Sequence, residues 1–271
     1  MQNVRYCLTV LVVILFAACN FRLKPYDNAD DAQSIVVRRY DRLQSRYLTT
    51  GDFSALQQMN IDYPIETRTL IEKMLHVGEV SDPDISTRFL RFYQDSTLQT
   101  LIADAEAEYA NMDDINKQFQ DAFKKLKTML PALPVPKIYA QIGALDQSIV
   151  IGEKLIGISL DKYMGTEYPL YLRYYSLEQR QSMKRIYVVP DALVFYLLSL
   201  YPMENYDSRR QIEKDLHMGK VMWVVNKAID MRLFKTPYVK TVERFLVNKH
   251  NIDYHSFLAD DDYSAIETQQ R

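Results

Sequence analysis

Three prolines in six residues divide this chain. From Met112 to Leu130 the apolar side chains Ile115, Phe119, Ala122, Phe123, Leu126 and Leu130 recur at helical spacing, with charges on the opposite face. Pro131, Pro134 and Pro136 then stop that helix, since proline has no N–H to donate and its ring clashes with the preceding turn. Beyond them the period changes. Residues 135–142, 148–151 and 155–160 are short β-rich runs, separated by Gly143, Asp146, Gly152 and Glu153, which suit hairpin turns. A chain that changes period in this way fits neither a pure bundle nor a sandwich. It predicts an α+β fold, predominantly helical, with helices around a small antiparallel or mixed sheet.

The flanking segments agree. Residues 53–59, 65–77 and 96–109 read as helices, with Asp52 and Asp95 placed as N-caps of the first and third. Ser34 to Tyr47 reads as a strand followed by a turn, and Ile186 to Val189 as another strand or the start of a helix. Pro190 at a first helical position opens Asp191 to Tyr201, which is apolar nearly all round and therefore predicts a buried central helix. Helices over 208–234 and 237–249, and from Tyr254 onward, complete the chain.

The amino terminus constrains location. Arg5, an apolar run from Leu8 to Leu15 and then Phe16-Ala17-Ala18-Cys19 form an export signal. The run is too short for a bilayer core, which needs roughly twenty residues. A cysteine at the cut resembles the lipobox of bacterial lipoproteins. That resemblance implies removal of residues 1–18, a diacylglycerol thioether on Cys19 and acylation of the new amino terminus. Asn20 to Gln33 reads as a polar tether, and residues 34–271 as a single globular domain. Anchoring through Cys19 into a lipid bilayer needs two or more acyl chains to be stable. The absence of an acidic cluster after Cys19 predicts a periplasm-facing protein, and Asn20 favours the outer over the inner membrane.

Composition excludes several classes. The chain has two cysteines; with Cys7 lost in the leader and Cys19 acylated, no thiol remains for a disulfide, a zinc thiolate or a nucleophile. Removal of Arg5 leaves 32 basic against 35 acidic side chains, so nucleic acid is not an expected partner. The histidines His76, His217, His250 and His255 lack the i, i+4 spacing and intervening glutamate that would hold a zincin metal, and they read as polar side chains at element ends or helix junctions. Ser159 lacks the second glycine of a nucleophile elbow. The seven glycines form no phosphate cradle. Asp113/Asp114 and Asp260 to Asp262 lie in polar stretches and read as solvated helix ends. No cofactor, metal or catalytic residue is expected.

One segment stands apart, Ile156 to Tyr171 (IGISLDKYMGTEYPLY), in which a strand delivers Asp161 and Gly165 permits a left-handed backbone. Tyr163, Tyr168, Tyr171, Tyr174 and Tyr175 crowd its end. They form either an aromatic binding surface or an irregular loop pinned by tyrosines.

This block, with RIYVVPDAL (185–193), HMGKVMWVVNKAID (217–230) and the lipobox, resembles the GldB family of Bacteroidota lipoproteins, named from gliding motility. The resemblance implies a zincin-like fold. The helix that would carry HExxH reads Pro190-Asp191-Ala192-Leu193-Val194-Phe195 here, with neither histidine nor glutamate. Metal-assisted hydrolysis needs an ion and a general base. The resemblance therefore implies a non-catalytic scaffold or interaction protein with a partner in the cell envelope, with Asp161, Tyr163, Gly165 and Tyr168 lining or shaping its groove. The rival expectations are a divergent periplasmic metallohydrolase, and a lipoprotein that binds a small ligand or glycan through Tyr163 and Tyr168.

Overall fold

The computed structural model describes residues 35–249 and 251–270. The leader, Cys19, the tether and His250 lie outside them. The segment expected as strand then turn is instead a helix, α1 (Tyr40–Thr50), preceded by a single parallel bridge from Arg38 to Tyr139. Buried Tyr40, Gln44, Tyr47 and Leu48 recur at i, i+4, i+7 and i+8, which puts them on one helical face. Gly51 ends the helix in a left-handed conformation (φ 72°), its N–H donating to the Tyr47 carbonyl.

Helix α2 (Phe53–Asp62) is capped by Asp52, and α3 (Pro64–Arg68) runs into a π-helical turn, Thr69–Met74. Helix α4 (Ile85–Phe92), which sequence periodicity did not predict, follows. Helix α5 (Ser96–Glu108) begins at Asp95, whose carboxylate accepts from the N–H groups of Thr97 and Leu98. Helix α6 (Asp113–Met129) is the amphipathic element before the prolines.

The sheet has three strands, β1 (Lys137–Gln141), β2 (Ile149–Gly152) and β3 (Leu155–Ser159), in the order β1-β3-β2. Strands β2 and β3 form the expected antiparallel hairpin, with Lys154 in its turn at φ 55°. The other expected hairpin does not exist: β3 inserts between β1 and β2 and pairs with β1 in parallel. Gly157 faces Tyr139 across that pairing, and a Cβ on Gly157 would sit 2.4 Å from the Tyr139 hydroxyl oxygen. The glycine thus makes room for the neighbouring ring.

Two short helices follow, α7 (Pro169–Tyr174), which takes up part of the tyrosine cluster read from the sequence as an aromatic surface or an irregular loop, and α8 (Leu177–Arg180). The central helix α9 (Val188–Leu200) starts two residues before Pro190. The first four N–H groups of a helix have no partner within it, so proline fits in that turn. Helix α9 packs on α6, on β2 and β3, and on α10 (Gln211–Ala228). Helices α11 (Pro237–Leu246), α12 (Tyr254–Ala259) and α13 (Ser264–Glu267) then cover α10. The result is mostly helical with a small mixed sheet. Among the described residues no helix is long and apolar enough to cross a membrane.

Candidate functional site

The segment after β3 forms the polar centre of the molecule. Asp161 is completely buried, and both its carboxylate oxygens are occupied: Oδ1 accepts from the Gly143 N–H at 2.7 Å and Oδ2 from the Leu145 N–H at 2.6 Å. These bonds hold the loop after β1, where Ala144 and Leu145 adopt left-handed conformations. Burial raises the Asp161 carboxyl above its ordinary value, while the two backbone donors pull it back. Gln44 grips the same loop with both ends of its amide. Its Oε1 accepts from the Ile142 N–H at 2.8 Å, and its Nε2 donates to the Ile142 carbonyl at 2.6 Å. The Tyr93 hydroxyl donates to that carbonyl as well. A buried polar network with every member paired fixes one arrangement.

Two residues on, Tyr163 is buried and bonded at both ends. Its carbonyl accepts from the Tyr109 hydroxyl at 2.7 Å, and its own hydroxyl donates to Asp191 Oδ2 at 3.0 Å. Ser148, just before β2, also hydrogen-bonds that phenol. Burial and the Asp191 carboxylate push the Tyr163 phenol well above its usual range. Asp191 lies in the first turn of α9, and desolvation pushes its carboxyl up to about 7, partly offset by the Tyr163 bond. A carboxyl in this state changes charge near neutral pH.

The two remaining candidates lie further out. Gly165 (φ 105°) turns the chain, and its N–H donates to the Met183 carbonyl. Tyr168 donates to Asp104 Oδ2 at 2.9 Å and meets the Tyr171 ring edge to face. Tyr171 is fully buried and bonds the Asp161 carbonyl and the Met164 N–H, while Tyr175 and Lys162 close on the Leu145 carbonyl. Asp161 and Tyr163 thus come together in one hub and shape the ground beneath a surface. The apolar side chains exposed here are Leu172, Tyr174 and Leu177.

Sequence reasoning missed Gln44, Tyr93, Tyr109 and Asp191. The signal for Asp191 was available: an acidic residue in the first turn of an otherwise apolar helix.

A second cluster joins α10 to the C-terminal segment. His217 is buried at this helix junction, its Nδ1 2.9 Å from the Tyr263 hydroxyl. Burial and nearby Lys220 lower its pKa. Lys220 is buried and pushed down to about 8 by desolvation; it donates to the Asp260 carbonyl at 2.6 Å and lies over the Phe257 and Tyr263 rings. His76 is exposed, and the His255 ring meets the Tyr201 hydroxyl at the surface. Asp114 pairs with Arg185, and the Asp261 carboxylate accepts from the Glu204 N–H. Among the described residues no three His, Cys, Asp or Glu side chains converge to hold a metal ion.

The model of one protein family, gliding motility protein GldB, matches residues 24–232. That span contains the Asp161 hub, Asp191 and all of α1 to α10. No curated protein matches the chain, and no solved structure does. The match extends over most of the sequence, and this chain belongs to the GldB family of gliding motility proteins.

Proposed function

We propose that this protein is a lipid-anchored, periplasm-facing component of the cell envelope of a member of the Bacteroidota, tethered through Cys19 at the outer membrane, and that it works by binding rather than by hydrolysis. Membership of the family supports an envelope lipoprotein, and the Phe16-Ala17-Ala18-Cys19 sequence supports the anchor. The scaffold would have the layout of a zincin, a small sheet over a buried helix, without its chemistry.

One observation carries the non-catalytic reading. The first turn of α9, beside the start of β2, holds Asp191 closed onto Tyr163. With one Asp191 oxygen taken by the Tyr163 hydroxyl, and neither histidine nor glutamate along α9, this turn lacks the set of side chains that would hold an ion and activate water on it. Strand β2 is a sheet edge. The Ser159 N–H bonds the Ser148 carbonyl, so alternate residues 150 and 152 bond inward, and the backbone groups of Ile149 and Ile151 point outward. An extended segment of an envelope partner can add to that edge.

The test uses membrane-extracted full-length protein after cross-linking in its host. One partner identified by mass spectrometry is expected, and it is lost in Ile151→Pro, which removes an outward donor while leaving the inward ladder intact. In parallel, Cys19→Ser should move the protein out of the membrane fraction. Stoichiometric zinc together with peptidase activity in the purified protein would overturn the reading.

A further inference from the structure

The described domain begins beside an apolar surface. Val37 is buried on the extended segment before α1, so Val36 and Arg38 lie on its other side. Arg38 reaches across to the junction of α2 and α3: Nη2 donates to the Asp62 carbonyl at 3.4 Å, the guanidinium lies 4.5 Å over the Tyr63 ring, and Nη1 is 3.8 Å from Glu66. Ile61 precedes Asp62 and Ile65 precedes Glu66. These two side chains are 76% and 65% exposed, and Val36 is 54% exposed. From Phe53 to Ile61 no side chain is charged, and the exposed positions of α2 there carry only Phe, Ser, Gln, Asn and Ile. On a chain in which a quarter of the residues are charged, this run of nine uncharged residues ends at exposed Asp62 and carries, with Ile65 beyond the turn and Val36 beside it, the most exposed aliphatic tips of this side of the domain.

We infer that the face carrying Val36, Ile61 and Ile65 rests on the lipid bilayer. The inference builds on the proposed anchor at Cys19. That anchor leaves fifteen residues, 20–34, before the domain. An unstructured chain of that length has a mean span of about 20 Å, whereas a domain of this size is roughly 45 Å wide. At that span the face beside Ile35 reaches the bilayer and the opposite side does not. Uncharged polar side chains with protruding aliphatic tips suit the headgroup zone, where apolar tips gain burial and amides keep their hydrogen bonds.

The experiment reconstitutes full-length acylated protein in vesicles of phosphatidylethanolamine and phosphatidylglycerol that contain spin-labelled lipid. Acylation of Cys19 and loss of Cys7 leave no other thiol, so Ile61→Cys, Ile65→Cys and Val247→Cys can each carry one environment-sensitive dye; Val247, on the C-terminal side of the chain, is 71% exposed and serves as the reference. Dyes at 61 and 65 should shift to the blue and be quenched at least about twofold more than the dye at 247. If the protein floats with the vesicles while 61 and 65 stay as wet as 247, the anchor stands and this inference falls; the face is then free for a protein. A protein that fails to float overturns the anchor, and this inference with it.

Discussion

Both oxygens of Asp161 are taken by backbone N–H groups, and that saturation decides what the residue can do. It is an acceptor built into the fold, so its replacement is read in stability. Asp161→Asn keeps one acceptor but turns an NH2 group toward a backbone donor inside the core. We expect a loss of about 2–4 kcal/mol, measured by urea denaturation. Asp191 makes a prediction in pH. Its carboxyl titrates near 7 in the folded protein against an ordinary value of 3.8. Folding therefore favours the protonated form. Its contribution is complete below about pH 4 and is lost as pH rises through 7, where the folded state must ionise an enclosed group. Relative to Asp191→Asn, which accepts from Tyr163 without titrating, the wild type should lose on the order of 2–4 kcal/mol between pH 4 and pH 8. A constant difference across that range would show that Asp191 is ionised throughout.

At the scale of elements, close approach and pairing matter most. Gly219 in α10 lies against Tyr238 in α11, where an added Cβ would stand 2.9 Å from the Tyr238 Cβ and 3.0 Å from its carbonyl carbon. Backbone cannot swing aside as a side chain can. Gly219→Ala should push the two helices apart and cost about 1–3 kcal/mol in thermal or urea unfolding, despite alanine's higher helix propensity. Much of this level was legible in the sequence: α6, the three strands, the buried α9 and the long α10 all follow from apolar period and proline placement. The misses have physical reasons. Helix α1 was hidden because Val36 and Val37 favour strand locally, whereas Tyr40, Gln44, Tyr47 and Leu48 form its face only when a glutamine counts as buried. The β1–β3 pairing was hidden because glycine and acidic residues after β1 look like a hairpin turn. The turn is real, but Gln44 and Asp161 spread it wide enough for β3 to enter between its ends. Local sequence cannot report a partner nearly a hundred residues away.

On the scale of the whole molecule, the family match stops at residue 232, while the structure continues through three more helices laid on α10. Lys220 is one tie from α10 to the last two of them, donating to the Asp260 carbonyl beneath two aromatic rings, beside the His217–Tyr263 hydrogen bond and the Arg210–Glu267 ion pair. Lys220→Ala should loosen residues 254–267 before the rest of the domain. Limited proteolysis is expected to cut there roughly tenfold faster with little change elsewhere; an unchanged cutting rate would mean that the other ties, His217–Tyr263 and Arg210–Glu267 among them, hold the segment without Lys220. Histidine counting had identified His217 as a polar residue near a helix junction, but its burial became visible only once the C-terminal helices were in place.

The bridge at Arg38 has a mechanical corollary. Its N–H donates to the Ile138 carbonyl and its carbonyl accepts from the Ala140 N–H, so the first described residues are stitched to the sheet ahead of α1. Tension applied at the N-terminal side, as when an anchored protein is dragged sideways, would enter the domain at the rim of β1. Those two bonds and the seating of Val37 would set the force at which the chain begins to peel.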